Sequence, residues 1–183
     1  MHPNLVDPER AFLLVVDLQE AYRDKLHAWE RTIARSCTLI RGAHELGIPV
    51  LCTEQHPKGL GHSAPEVREA LGDLRPFEKR TLSALGAPGL WDALERLGRD
   101  QAIVCGIETH ACINQTVHDL LGRGIAAHLA EDAVSSRHEL DHALAVRKML
   151  ASGALGGSVE SLLLECLRSA DHPAFKRVQA LLK

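Results

Sequence analysis

Cys112 stands in the run Ala102-Ile-Val-Cys-Gly-Ile-Glu-Thr-His-Ala-Cys-Ile-Asn-Gln-Thr-Val-His118, a setting suited to nucleophilic chemistry. The run reads as a short buried strand from Ala102 to Gly106, a tight connection, and a helix from about His110 that carries Cys112 in its first turn. A thiol placed there lies among backbone N–H groups without helical partners, at the positive end of a helix dipole, which favours the thiolate. Cys112 is therefore a candidate nucleophile. The bland alternative is a small buried hydrophobe, the usual fate of a free cysteine. That reading is adopted for Cys37, Cys52, Cys105 and Cys166, which lie in apolar helix or strand patterns.

The elements that must position such a thiol alternate along the chain. Ala11 to Val16 is a continuous apolar run ending at Asp17, the pattern of a strand buried on both faces. Trp29 to Leu46 has helical apolar spacing at Ile33, Cys37, Ile40 and Ala43, and Gly47 stops it. Ile48 to Thr53 is the next strand. Glu54 to Arg80, rich in Pro and Gly, reads as an irregular excursion with one short helix near Pro65 to Leu71. Pro88 to Leu97 is a helix, Gln101 to Gly106 a strand, His110 to Arg123 a helix and Ile125 to Ala130 a strand. Leu140 to Ala151 is a helix, Leu155 belongs to a last short strand, and helices from Ser158 to Ser169 and Pro173 to Leu182 close the chain. This alternation predicts an α/β fold, a single domain over residues 1–183 with a parallel sheet covered by helices on both faces.

Composition narrows the function classes. The 183 residues carry a formal net charge of -3, with 25% charged and 3% aromatic residues. That balance offers neither an electrostatic pull toward nucleic acid nor a stacking platform for bases. The N-terminal residues lack a charged segment followed by an apolar one, and no apolar stretch approaches the roughly 20 residues of a membrane helix. The expectation is a cytoplasmic protein with no membrane and no nucleic-acid partner. Five scattered cysteines without a Cys-x-x-Cys pair indicate neither a disulfide framework nor a zinc ribbon.

In a parallel sheet of this kind ligands bind in the crevice at the carboxyl ends of the strands. Asp17 follows the first strand, Thr53 and Glu54 close the second, Glu108 to Cys112 follow a third, and Glu131 and Asp132 follow a fourth. Asp17 and Cys112 are thus expected on one rim. On composition alone Asp17 could equally cap a turn, and Lys79 is one lysine beside Arg80 in a polar loop.

The chain resembles the isochorismatase-like cysteine hydrolases over nearly its whole length. The resemblance runs from Leu14-Val-Val-Asp-Leu-Gln19 through Lys79 to Gly106-Ile-Glu-Thr-His-Ala-Cys-Ile113 and Asp132-Ala-Val-Ser-Ser-Arg137. It implies a Rossmann-like three-layer sandwich and a catalytic triad of Asp17, Lys79 and Cys112. It also implies a cis peptide between Ile107 and Glu108 that would aim the Glu108 and Cys112 N–H groups at one point, an oxyanion hole. Gln19 and Thr109 are assigned to substrate binding, although Gln19 could merely bond to nearby backbone. Family members assemble as dimers up to octamers, so a homo-oligomer is expected. The apolar positions of the last helices (Leu162, Leu163, Leu164, Leu167, Val178, Leu181, Leu182) offer a surface for it.

Nicotinamidases of this family bind a metal beside the thiol through an Asp-x-His pair and further histidines; here Glu54-Gln-His56 and His62 stand in those places. Carboxylate and imidazoles suit zinc or iron. Pro57 and Gly59 to Gly61 are expected to splay the two histidines, so the reading adopted is no metal and no other cofactor. The sequence thus points to a cysteine hydrolase of a small-molecule C–N bond, an amide, through a thioester. The alternatives are enol-ether hydrolysis of the isochorismatase type, a metal-assisted nicotinamidase-like amidase, and a non-catalytic oligomeric binding protein. A redox-sensing thiol is disfavoured by the lack of a nearby partner cysteine.

Overall fold

The computed structural model describes residues 2–183; Met1 lies outside them. Six strands form one sheet: β1 (Ala11–Val16), β2 (Val50–Gln55), β3 (Phe77–Lys79), β4 (Gln101–Ile107), β5 (Ala126–Ser135) and β6 (Leu155–Gly157). Their spatial order is β3-β2-β1-β4-β5-β6, and every pairing is parallel. The chain leaves β1 toward β2 on one side and later returns to place β4 on the other. The direction of winding therefore reverses between β1 and β4, where an α/β sheet opens its ligand crevice.

Eight α-helices accompany the sheet among the described residues: α1 (Trp29–Glu45), α2 (Pro57–Leu60), α3 (Pro65–Leu71), α4 (Leu90–Leu97), α5 (Asn114–Gly122), α6 (Glu139–Ala151), α7 (Val159–Leu167) and α8 (Phe175–Leu181). Strand alternation sorts the core into two layers. Leu13, Val15, Ile103 and Cys105 pack with Ile33, Cys37 and Ile40 of α1 and Leu162 and Leu163 of α7. Phe12, Leu14, Val16 and Val104 pack with Leu90 and Leu94 of α4, Val117 and Leu120 of α5, and Met149 of α6. The predicted three-layer α/β fold is the one observed.

Several boundaries differ from the sequence reading. The excursion from Glu54 to Arg80 is more ordered than its Pro and Gly content predicts. It contains the end of β2, the helices α2 and α3, and the strand β3, whose three residues pair with Thr53, Glu54 and Gln55. A strand this short carries no period that a sequence can display. β5 runs on to Ser135 because it has two clients. Its first half pairs with β4 and β6, the ladder to β4 then slips between Val104 and Gly106, and Val134 and Ser135 resume it. Cys112 lies in a π-helical turn, Thr109–Ile113, that precedes α5. The last helices are not a spare greasy surface: Leu162, Leu163, Leu167 and Val178 are buried within the chain, and Leu164 is exposed.

Candidate active site

Three strand ends turn sharply at the crevice, each through a non-glycine residue in the left-handed region. Asp17 follows β1 with φ 56°, His56 follows β2 with φ 40°, and Glu108 follows β4 with φ 57°. Such conformations cost free energy and gather where a site must be shaped. A fourth constraint sits one layer below. Gly106 has φ 138°, and a Cβ there would lie 2.1 Å from the Val16 carbonyl oxygen, so only glycine lets β1 and β4 close at this level.

The geometry brings the three expected side chains together. Lys79, the last residue of β3, has a fully buried side chain whose ammonium lies 2.6 Å from Asp17 Oδ2. The same Nζ donates to Gln55 Oε1 at 2.6 Å, to the Thr81 and Leu82 carbonyls at 3.1 Å, and to Cys112 Sγ at 3.7 Å. Thr53 donates to Asp17 Oδ1 at 2.8 Å. Asp17, Lys79 and Cys112 are all buried. A buried cation thus bridges a carboxylate and a thiol, and polar groups from β2 and the loop after β3 satisfy the rest of its coordination.

The charge state of the thiol departs from the sequence expectation. Burial pushes the Cys112 thiol up to about 12, the Asp17 charge adds to this, and Lys79 opposes it. Desolvation is the largest of these effects because the turn is closed in the core. The resting group is the thiol, hydrogen-bonded within reach of a carboxylate that can take its proton.

The cis peptide implied for Ile107 and Glu108 is not there: no peptide bond among the described residues is cis. The chain instead leaves β4 through a trans bond and turns at the left-handed Glu108, whose carbonyl accepts from Ala111 and Ile113. The Glu108 side chain is buried, with Oε1 3.3 Å from Arg137 Nε and Oε2 3.8 Å from His110 Nε2. Half-buried Tyr22 stands in the field of the same groups. Burial raises its phenol first, followed by the charges of Glu108, Cys112 and Asp17, while Arg137 lowers it.

The residues assigned to substrate binding are engaged elsewhere. Gln19 uses both amide hydrogens on the Gln55 and Gly61 carbonyls, at 2.9 and 2.6 Å, and accepts from the Gln55 N–H at 2.8 Å. It fastens the excursion to β1. Thr109 is buried, its hydroxyl 3.1 Å from His142 Nδ1 on α6. The crevice rule selects Thr53; sequence reasoning missed Gln55 and Thr116. Thr116 donates to the Cys112 carbonyl at 2.6 Å and accepts from the Ala84 N–H at 2.9 Å, tying the nucleophile's helix to the loop that coordinates Lys79. A Thr four residues after a candidate nucleophile, able to bond back one turn, was the available signal.

Glu54, His56 and His62 do not converge. Glu54 accepts from the Ser63 N–H at 2.7 Å and hydroxyl at 2.8 Å, and its other oxygen lies 2.9 Å from His62 Nδ1. Burial would raise this carboxyl, but the bonds from Ser63 and His62 hold it below its usual range. The His56 ring turns back over Gly59, where a Cβ would sit 2.6 Å from it. His56 borders a surface depression of about 410 Å³ with Lys58 and Arg80, whereas Glu54 and His62 border another of about 460 Å³. With its carboxylate already occupied and its imidazoles apart, this trio does not fit a metal. Among the described residues no three His, Cys, Asp or Glu side chains are grouped as metal ligands.

Comparison with known proteins places the fold and the family. The family model described as the isochorismatase domain matches residues 11–161. The mouse isochorismatase domain-containing protein 2A is 38% identical over 179 residues, covering 96% of this chain and 84% of that protein. A solved structure described as the MAR1 ribonuclease of Caenorhabditis elegans superposes with a TM-score of 0.92 at 38% identity, covering 97% of this chain and 92% of that one. The ycaC gene product of Escherichia coli, described as an octameric hydrolase of unknown specificity, shares the fold with a TM-score of 0.89 at 18% identity, over 97% and 90% of the two chains. Sheet order, crevice and sequence agree: the chain belongs to the isochorismatase-like hydrolase family.

Proposed function

We propose that the protein is a cysteine hydrolase of a small-molecule amide or related C–N bond, acting through a thioester. The observation that carries this reading is the buried contact in which Lys79 Nζ lies 2.6 Å from Asp17 Oδ2 and 3.7 Å from Cys112 Sγ. Asp17 takes the thiol proton, and the thiolate attacks the carbonyl carbon, forming the C–S bond. Collapse of the tetrahedral adduct breaks the C–N bond, and the departing nitrogen takes the proton from Asp17. Water then attacks the thioester, Asp17 accepts its proton, and the acid leaves as the thiol re-forms. Lys79 keeps Asp17 oriented and stabilises the sulfur anion while it lasts. The resemblance assigns the oxyanion to the backbone N–H groups of Glu108 and Cys112 through a cis bond; with that bond trans, the pairing loses its basis, and the Cys112 N–H in the turn Thr109–Ile113 is the remaining backbone candidate.

Enol-ether hydrolysis needs no acyl-enzyme and leaves Cys112 without a task, so the amide reading is preferred. A ribonuclease role, the description of the nematode relative, is opposed by the net charge of -3 and by the carboxylates Asp17 and Glu108 beside the thiol. The proposal includes self-association. The Escherichia coli relative is described as octameric, and α6 exposes Leu140 and Leu144, at 69% and 44%, beside the catalytic turn. Five free cysteines suit a reducing compartment, the cytoplasm.

The test is ammonia release from a panel of primary amides and ureas. The Cys112→Ala variant should lose about 10⁴-fold or more in rate on any substrate found, with a melting temperature within a few degrees of the parent. Retention of most of the activity would overturn the assignment.

A further inference from the structure

Resting on the thiol reading above, we infer that Glu108 is the substrate-selecting group of this site, and that it selects a neutral or cationic N–H-rich molecule and rejects carboxylates and other anions. The position of the residue is set by the backbone. Gly106 lets β4 run close against β1, and the left-handed turn at Glu108 then reverses the chain into the helix of Cys112. A residue at this bend cannot leave the mouth of the crevice without unwinding the turn that carries the nucleophile.

The charges around that bend are unequal in their surroundings. Asp17 and Lys79 form a pair at 2.6 Å with side chains 2% and 0% exposed, so their combined field falls off faster with distance than that of a lone charge. The second pair is asymmetric: the Glu108 side chain is 11% exposed and that of Arg137 53%. Water screens the guanidinium far more than the carboxylate, so Arg137 does not fully neutralise Glu108, whose negative charge acts on the thiol. The rise of the Tyr22 phenol through Glu108, only partly offset by Arg137, has the same origin.

Glu108 also keeps hydrogen-bonding capacity. Arg137 Nε is 3.3 Å from Oε1, but the pair lacks hydrogen-bond geometry and no side chain or backbone donor fills that buried oxygen; His110 Nε2 is 3.8 Å from Oε2, beyond hydrogen-bond range. A buried carboxylate oxygen in this state is completed by a donor. The N–H of an amide, urea or ammonium group supplies one; the carboxylate of an enol-ether diacid or the phosphate of a nucleotide supplies only another anion.

The selection is measurable before any substrate is known, by alkylating the intact protein at pH 9. The reagents are iodoacetamide, iodoacetate and 2-bromoethylammonium. Labelling at Cys112 is read by peptide mass spectrometry, with each rate divided by that of free glutathione. The normalised order should be cation, neutral, anion, with iodoacetamide about tenfold or more ahead of iodoacetate. Glu108→Gln should shrink that preference several-fold and Glu108→Asp should keep most of it. Arg137→Gln, an exposed change that does not threaten the fold, should enlarge it. Equal normalised rates in the parent, or a preference unmoved by both Glu108→Gln and Arg137→Gln, would overturn the inference and leave the thiol mechanism standing. Failure of all three reagents at Cys112 together with activity that survives Cys112→Ala would instead remove the thiol reading, and this inference with it.

Discussion

The two halves of the crevice hold their share of the Asp17–Lys79–Cys112 cluster by different means. Asp17 and Cys112 hang from β1 and β4, adjacent strands whose six register pairs from Ala11–Gln101 to Val16–Gly106 are buried throughout. Lys79 arrives from the excursion between β2 and α4, where a three-residue strand and two short helices are fastened by side-chain bonds. Gln19 clamps Gln55 and Gly61, Glu54 clamps Ser63, and Arg23 reaches Glu66 at 2.8 Å. Asp17 and Cys112 are therefore positioned by apolar packing and a backbone ladder, Lys79 by a polar network. Damage to the first should appear as lost packing, and damage to the second as buried groups left without partners.

Lys79→Met is the largest way to break this comparison. It leaves Asp17 buried without its counter-charge and should cost about 3 to 5 kcal/mol in urea unfolding, with loss of hydrolysis. Adding Asp17→Asn should return a good part of the stability and none of the activity. Equal stability of the single and double variants would show that the ion pair is not what the excursion serves.

Gly106→Ala tests the ladder side. A Cβ 2.1 Å from the Val16 carbonyl at φ 138° must push β1 and β4 apart, at a cost of about 2 to 4 kcal/mol. The loss should be accompanied by faster hydrogen exchange at the carboxyl ends of both strands. A variant as stable as the parent would place the tight point elsewhere.

Glu54→Gln gives the smallest effect and sharpens the contrast through pH. Because the folded carboxyl titrates below its usual value, its contribution is present above the unfolded pKa near 4.5 and is lost as pH falls through the folded one. The variant should be about 1 to 2 kcal/mol weaker at pH 7, with the deficit closing as pH falls below 4.5. A deficit that stays constant with pH would assign Glu54 a packing role only.

The same division decides what was legible in the sequence. The apolar run ending at Asp17 and the strand-turn-helix around Cys112 announce a buried parallel pair, and the crevice rule then places both residues on one rim. Gly47 stops α1 as expected, with φ 66°. Lys79 is reachable through family likeness alone, since β3 is too short to have a period and its partners Thr81 and Leu82 bond through backbone carbonyls that carry no sequence signal. The backbone at Glu108 was misread for a related reason. Both a cis bond and a left-handed turn can reverse a chain after a strand, and residue identities do not separate them. The burial that raises the thiol is not legible either, because a helix end is visible in sequence whereas its depth is not.

The central place of β1 in the order β3-β2-β1-β4-β5-β6 also sets a timetable. The ribosome delivers β1 first, yet one edge of it stays unpaired until β4, from Gln101 onward, has been made. At ordinary rates of synthesis that interval is about 5 to 20 seconds. Throughout it the nascent chain carries an open apolar strand edge, and Asp17 waits first for its cation and then for its thiol. An open apolar edge of this kind is a template for wrong pairing, and the cluster of Asp17, Lys79 and Cys112 cannot close before the chain has passed Cys112.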